Sequence, residues 1–95
     1  MLTHIVLFKL KDRSPQSVAR AADVLRSLQG NVPNLRALEV GVNIVPADRA
    51  YDIALLARFD SVAALQEYQA HPNHVRVSDY MRSVAESTVA VDYEL

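Results

Sequence analysis

Ninety-five residues, 51% of them hydrophobic and 22% charged with a formal net charge of −1, describe one globular domain over 1–95 and exclude a disordered chain. The mixed charge leaves no basic footprint for nucleic acid or an anionic membrane, and the lack of cysteine rules out disulfides, thiolate chemistry and Cys-type zinc sites. No apolar run approaches the roughly 20 residues that span a bilayer and no basic, cleavable leader is present, so a soluble cytoplasmic protein is expected.

Leu2 to Leu10 reads as the first strand. Leu2, His4, Val6, Phe8 and Leu10 share one face; Thr3, Ile5, Leu7 and Lys9 share the other. Both faces are mainly apolar, so both should be covered. Ser14-Pro15 joins an N-cap to a proline at the first helical position. The helix is predicted to run to about Gln29, with Val18, Ala21, Ala22, Leu25 and Leu28 as its apolar stripe. Gly30-Asn31 is the stop signal.

The second strand is predicted over Leu35 to Val45. Gly41 within it suggests a bulge or a close backbone approach. Pro46 to Arg49 forms a hairpin-type connection to the third strand, Tyr51 to Phe59, which is apolar on both faces except at Asp52 and Arg58. Asp60 or Ser61 caps a second helix whose stripe is Val62, Leu65 and Tyr68. Pro72 lacks an N–H and disfavours helical backbone at His71, yet suits the first turn of a new helix. His74, Val77 and Met81 follow at steps of three and four. Thr88 to Leu95 reads as the last strand.

The order β-α-β-β-α-(α)-β predicts a ferredoxin-like α+β sandwich. Helices from one chain can cover only one face of its sheet, whereas every strand carries apolar residues on both. A second sheet from another copy is the simplest cover, which predicts a homodimer, a dimeric α+β barrel with a ligand-holding interior.

The corner Tyr68-Gln69-Ala70-His71-Pro72-Asn73-His74-Val75 gathers titratable groups as no other stretch does. A neutral imidazole at His74 can exchange protons near pH 7, and the Tyr68 phenol can donate to a developing oxyanion. Such a pair can promote enolisation, aldol-type condensation or cyclisation without a cofactor. It also has a plain structural reading, with Tyr68 completing a helix stripe and His74 capping the corner. His4 is either a satisfied core residue or, if its face lines the barrel, a polar group in an apolar pocket. Asp92 can orient a histidine by accepting its N–H. His71 and His74 lie three apart, but no acidic residue separates them and Pro72 distorts the local geometry, so no metal is expected. Only Gly30 and Gly41 are present, so there is no Gly-rich phosphate loop, and no Gly-x-Ser-x-Gly elbow occurs.

At these residues the chain resembles the stress-responsive A/B barrel family. The likeness runs through His4-Ile5-Val6-Leu7-Phe8-Lys9-Leu10-Lys11-Asp12, Leu38-Glu39-Val40-Gly41-Val42-Asn43, Tyr51-Asp52-Ile53-Ala54-Leu55, Phe59-Asp60-Ser61, the Tyr68–Val75 corner and Val91-Asp92-Tyr93. It implies a dimeric α+β barrel. One plant branch includes a cofactor-free polyketide cyclase, and its catalytic roles would fall on His74, Tyr68 and His4. Substrate-binding positions would fall on Val6, Phe8, Leu55, Ala57, His71, Ala90 and Asp92, although Ala57, Ala90 and Phe8 differ from that enzyme in bulk. The resemblance therefore implies a small apolar, aromatic or carbonyl-bearing ligand and no cofactor. It also implies two alternatives: a non-enzymatic stress-response or assembly protein, and a cofactor-free monooxygenase acting on quinol-like substrates.

Overall fold

A computed structural model describes residues 1–95. The elements are β1 (Leu2–Leu10), α1 (Pro15–Arg26), β2 (Ala37–Val42), β3 (Ile53–Phe59), α2 (Val62–Ala70), α3 (Pro72–Val84) and β4 (Ala85–Glu94). The strands form one sheet in the order β2-β3-β1-β4, with every neighbouring pair antiparallel. This is the ferredoxin-like α+β arrangement expected from the element order.

The helix boundaries follow from local chemistry. Ser14 Oγ accepts the Ser17 N–H at 3.3 Å and Pro15 opens α1, satisfying a donor that the helix itself leaves free. The helix ends at Arg26 rather than near Gln29, in a turn that closes at Gly30, whose φ of 80° favours glycine. Leu28 remains buried although it lies beyond the helix. Ser61 Oγ accepts the Ala64 N–H at 3.1 Å at the start of α2. His71, extended at ψ 137°, ends α2 and caps α3, as the residue before proline should.

The strands depart further from expectation. β2 covers Ala37–Val42 instead of 35–45, and β3 starts at Ile53 rather than Tyr51. Their ladder closes where the Asn43 N–H meets the Asp52 carbonyl at 2.9 Å, leaving the intervening loop exposed. β4 starts at Ala85, before the expected Thr88, directly after the last residue of α3. The Lys11 N–H meets the Val84 carbonyl there at 3.0 Å, beside a register shift at Lys9/Leu10. Gly41 sits in regular register opposite Ala54 with open space around it, so it forms neither the bulge nor the close approach anticipated.

The helices cover one sheet face. Val6, Phe8 and Leu10 of β1 and Ile53, Leu55 and Phe59 of β3 pack with Ala21, Ala22 and Leu25 of α1, Leu65 and Tyr68 of α2, and Val77 and Met81 of α3. Val62, expected in the α2 stripe, is exposed instead. The opposite face has no cover within the chain: Val89, Val91 and Tyr93 are 47%, 53% and 37% exposed. No helix is long and apolar enough to cross a membrane.

Candidate functional site

β1 and β4 bring the first catalytic candidate into place. His4 stands opposite Asp92 in the antiparallel register, so both side chains emerge on the helix-covered face. The His4 Nδ1–H donates to Asp92 Oδ1. A carboxylate can only accept here, which leaves the His4 Nε2 lone pair free when the ring is neutral.

The α2–α3 corner brings the other two. Tyr68 lies in the last turn of α2 and His74 in the first turn of α3, and extended His71 folds them together with ring centroids 4.4 Å apart. Phe59 bridges to β1, with its ring centroid 4.7 Å from Tyr68 and 6.4 Å from His4. Thus four rings in series connect residues that are distant in sequence.

His74 Nδ1–H donates to the Gln69 carbonyl at 3.2 Å. Because a carbonyl only accepts, this bond leaves His74 Nε2 as the basic nitrogen. Burial pushes the His74 pKa below its ordinary 6.5, outweighing the Gln69 bond, and the nearby His4 charge adds to the depression. His74 is therefore neutral near pH 7. Burial pushes the Tyr68 phenol up to about 12, so it remains a protonated donor. No protein group bonds the Tyr68 hydroxyl, yet no sealed polar side-chain atom lacks a partner. The hydroxyl consequently meets the adjoining cavity.

That cavity has a volume of about 400 Å³ and is lined by 15 residues, among them His4, Tyr68 and His74. Val6, Phe8, Leu55 and Ala90, the sequence candidates for substrate contact, also line it. It lies between the sheet and helices of one chain, not in the space between two sheets where the barrel reading had put the ligand. Ala57 is opposite His4 but wholly buried and forms no part of the wall. His71 is likewise outside it, with Nδ1 accepting the Asn73 N–H at 3.1 Å as the α3 cap. Asp92 reaches the site only through His4 and itself borders a separate surface groove.

Several wall residues were not singled out as site residues. Val77 and Met81 of the α3 stripe and Leu25 and Leu28 of the α1 stripe belong to the core and also face the cavity. Ser78, Arg82 and Thr88 are polar wall members outside any motif, and Gln69 belongs to the Tyr68–Val75 corner. The helical step from His74 to Ser78 to Arg82 was the available signal, since residues four apart share a face.

Comparisons with known proteins agree with this architecture. The stress responsive A/B barrel domain family matches residues 2–95. An uncharacterized protein of Streptomyces coelicolor, SCO4036, is 36% identical over 97 residues, covering 99% of each chain. A dimeric ferredoxin-like protein of unknown function from Bacteroides fragilis is 33% identical, with a TM-score of 0.84 over 99% of this chain and 95% of its own. The hydroxynitrile lyase of Passiflora edulis has the same fold, with a TM-score of 0.84 at 23% identity over 99% of this chain and 92% of its own. The match to the family extends across β1, the Tyr68–His74 corner and β4, and this chain belongs to the stress responsive A/B barrel domain family.

Proposed function

We propose that the chain binds a small, mainly apolar carbonyl compound in its helix–sheet cavity and performs cofactor-free acid–base chemistry on it. The convergence of a neutral His74, a protonated Tyr68 and an Asp92-held His4 on one largely apolar cavity carries this reading. Apolar walls with a few polar groups are the usual form of a small-molecule site.

In this mechanism His74 Nε2 takes a proton from the carbon next to the substrate carbonyl. The C–H electron pair moves into a new C=C bond as the carbonyl π pair moves to oxygen. Tyr68 donates its O–H to that developing oxyanion, and its high pKa keeps the proton on the phenol. Attack of the enolate carbon on a second carbonyl of the same molecule closes a C–C bond. The new alkoxide then recovers the proton from His74, which restores the neutral base. His4 Nε2 is available to accept a substrate O–H or, when protonated, to donate to a second oxygen; Asp92 fixes its ring.

The assembly proposed with this activity is a homodimer formed through the uncovered sheet face. Ile5, Leu7, Val89 and Val91 make that face apolar, and Gly41 and Ala54 keep it shallow. The Bacteroides fragilis relative is dimeric. Val91→Asp is expected to yield a monomer by sedimentation while retaining the helical circular-dichroism signal. A variant still dimeric at micromolar concentration would remove this face from the interface.

A thermal-shift panel of aromatic and β-polyketone compounds tests the cavity reading. A stabilising compound should raise Tm in wild type and lose that effect when Leu55→Trp fills the cavity, because a ligand stabilises the state it binds. A shift retained in a correctly folded Leu55→Trp variant would place the ligand elsewhere.

A further inference from the structure

The cavity is long and chemically polarised. His74, Ser78 and Arg82 recur every four residues along α3 and all line it, so they form one ridge. The rise of a helix puts the ends of that ridge about 12 Å apart. The floor has the same direction: β1 runs from His4, opposite Asp92, to Phe8, opposite Thr88, a span of roughly 13 Å along a strand. Thus His4, Tyr68 and His74 occupy one end, while Arg82 and Thr88 occupy the other. Val6, Val77 and Met81 supply an apolar middle.

Thr88 and Ala90 are exposed on β4, as is Arg82 on α3, so the cavity opens as a slot between these elements. Arg82 is the only permanently charged side chain among its lining residues, and no carboxylate lines it. Its one ionic partner is Asp79, three residues earlier on the same helix, at 3.1 Å. Those side chains are 76% and 63% exposed, and such a pair contributes little in solvent. Arg82 Nη1 meets Asp79, leaving other guanidinium donors for an incoming anion.

We propose that the ligand is an extended oxo acid, with its carbonyl at the His74–Tyr68–His4 end, an apolar chain along the middle and a carboxylate at Arg82. This rests on the reading of the cavity as a carbonyl-compound site and specifies which carbonyl compounds it selects. Arg82 is a specificity-determining residue in this assignment. Ser78 and Thr88 add hydroxyl donors along the slot, and the distance between the two ends favours a medium-length chain over a compact ring.

The test is calorimetric titration at low salt with two probes: oxodecanoate, its ketone at the end remote from the carboxylate, and the methyl ester of that acid. Wild type should bind the acid about tenfold more tightly than the ester, the scale of one charge-assisted hydrogen bond. Arg82→Gln should bind both equally, and Arg82→Lys should recover part of the preference. Leu55→Trp should weaken both probes. Equal wild-type affinities, or an acid preference surviving in Arg82→Gln, would overturn the carboxylate assignment while leaving the carbonyl site standing. If neither probe binds wild type, both assignments are rejected.

Discussion

His74→Gln is expected to lower kcat by about 10²- to 10⁴-fold on a cyclising carbonyl substrate, the usual contribution of a positioned general base. Glutamine keeps a side chain of similar reach but cannot take the proton. Tyr68→Phe should preserve the packing against Phe59 and cost about 10²- to 10³-fold, the scale of one oxyanion donor. Effects of the two substitutions should be less than additive, because both remove support for the same transition state. Turnover unchanged in His74→Gln, with a lowered Tm, would assign the corner to stability alone. Absence of turnover in wild type on every carbonyl substrate, with a lowered Tm in His74→Gln, would favour the non-enzymatic assembly reading.

The same substitution has a defined pH signature. His74 acts as a base only when neutral, so activity should fall on the acid side, with a midpoint below 6.5 because burial depresses its pKa. The stability contribution has the same direction. Between its folded pKa and 6.5 the unfolded chain holds a proton at His74 that the folded chain does not. The associated stability is therefore present above pH 6.5 and is lost as pH falls through the folded pKa. His74→Gln should flatten that part of the Tm–pH curve, and an acid-side slope identical to wild type would assign it to another group.

The largest expected stability loss lies away from the cavity, at Asp52. Its carboxylate accepts the Leu10 N–H at 2.9 Å and the Arg13 Nε–H at 3.0 and 3.1 Å. Its own N–H donates to the Phe8 carbonyl at 2.8 Å, and Arg13 Nη2–H donates to the Ala50 carbonyl at 2.8 Å. One residue thereby ties the end of β1, the approach to α1 and the start of β3. Asp52→Ala leaves the buried Leu10 amide without a partner and Arg13 without its counter-ion. The expected cost is about 3 kcal/mol, a fall in Tm of roughly 10–20 °C for a chain this size. Arg13→Ala should cost less, since Arg13 is 39% exposed and the carboxylate would still hold the amide. Equilibrium urea unfolding measures the difference, and an Asp52→Ala variant within about 1 kcal/mol of wild type would reject this role.

Much of this architecture was legible in residue order. Alternation from Leu2 to Leu10, the caps at Ser14 and at Asp60 or Ser61, and the proline at position 72 determined where elements form and which residues share a face. Those signals act over a few residues, through backbone sterics and side-chain periodicity. They also brought Tyr68 and His74 into consideration, because a helix–corner–helix confines both to a short segment. The same local signals put His71 at the corner but do not direct its ring, which its capping bond to Asn73 holds outside the cavity.

Tertiary structure alone decided which sheet face the helices cover, and hence that the candidate cavity belongs to one chain. It joined His4 to Asp92 across 88 residues, turned Asp52 from a polar exception in an apolar strand into a buried anchor, and set Arg82 and Thr88 in the wall of one cavity. Local pattern does not encode such meetings: alternation distinguishes two faces without assigning their partners, and a polar side chain acquires its role only from the long-range groups that satisfy it.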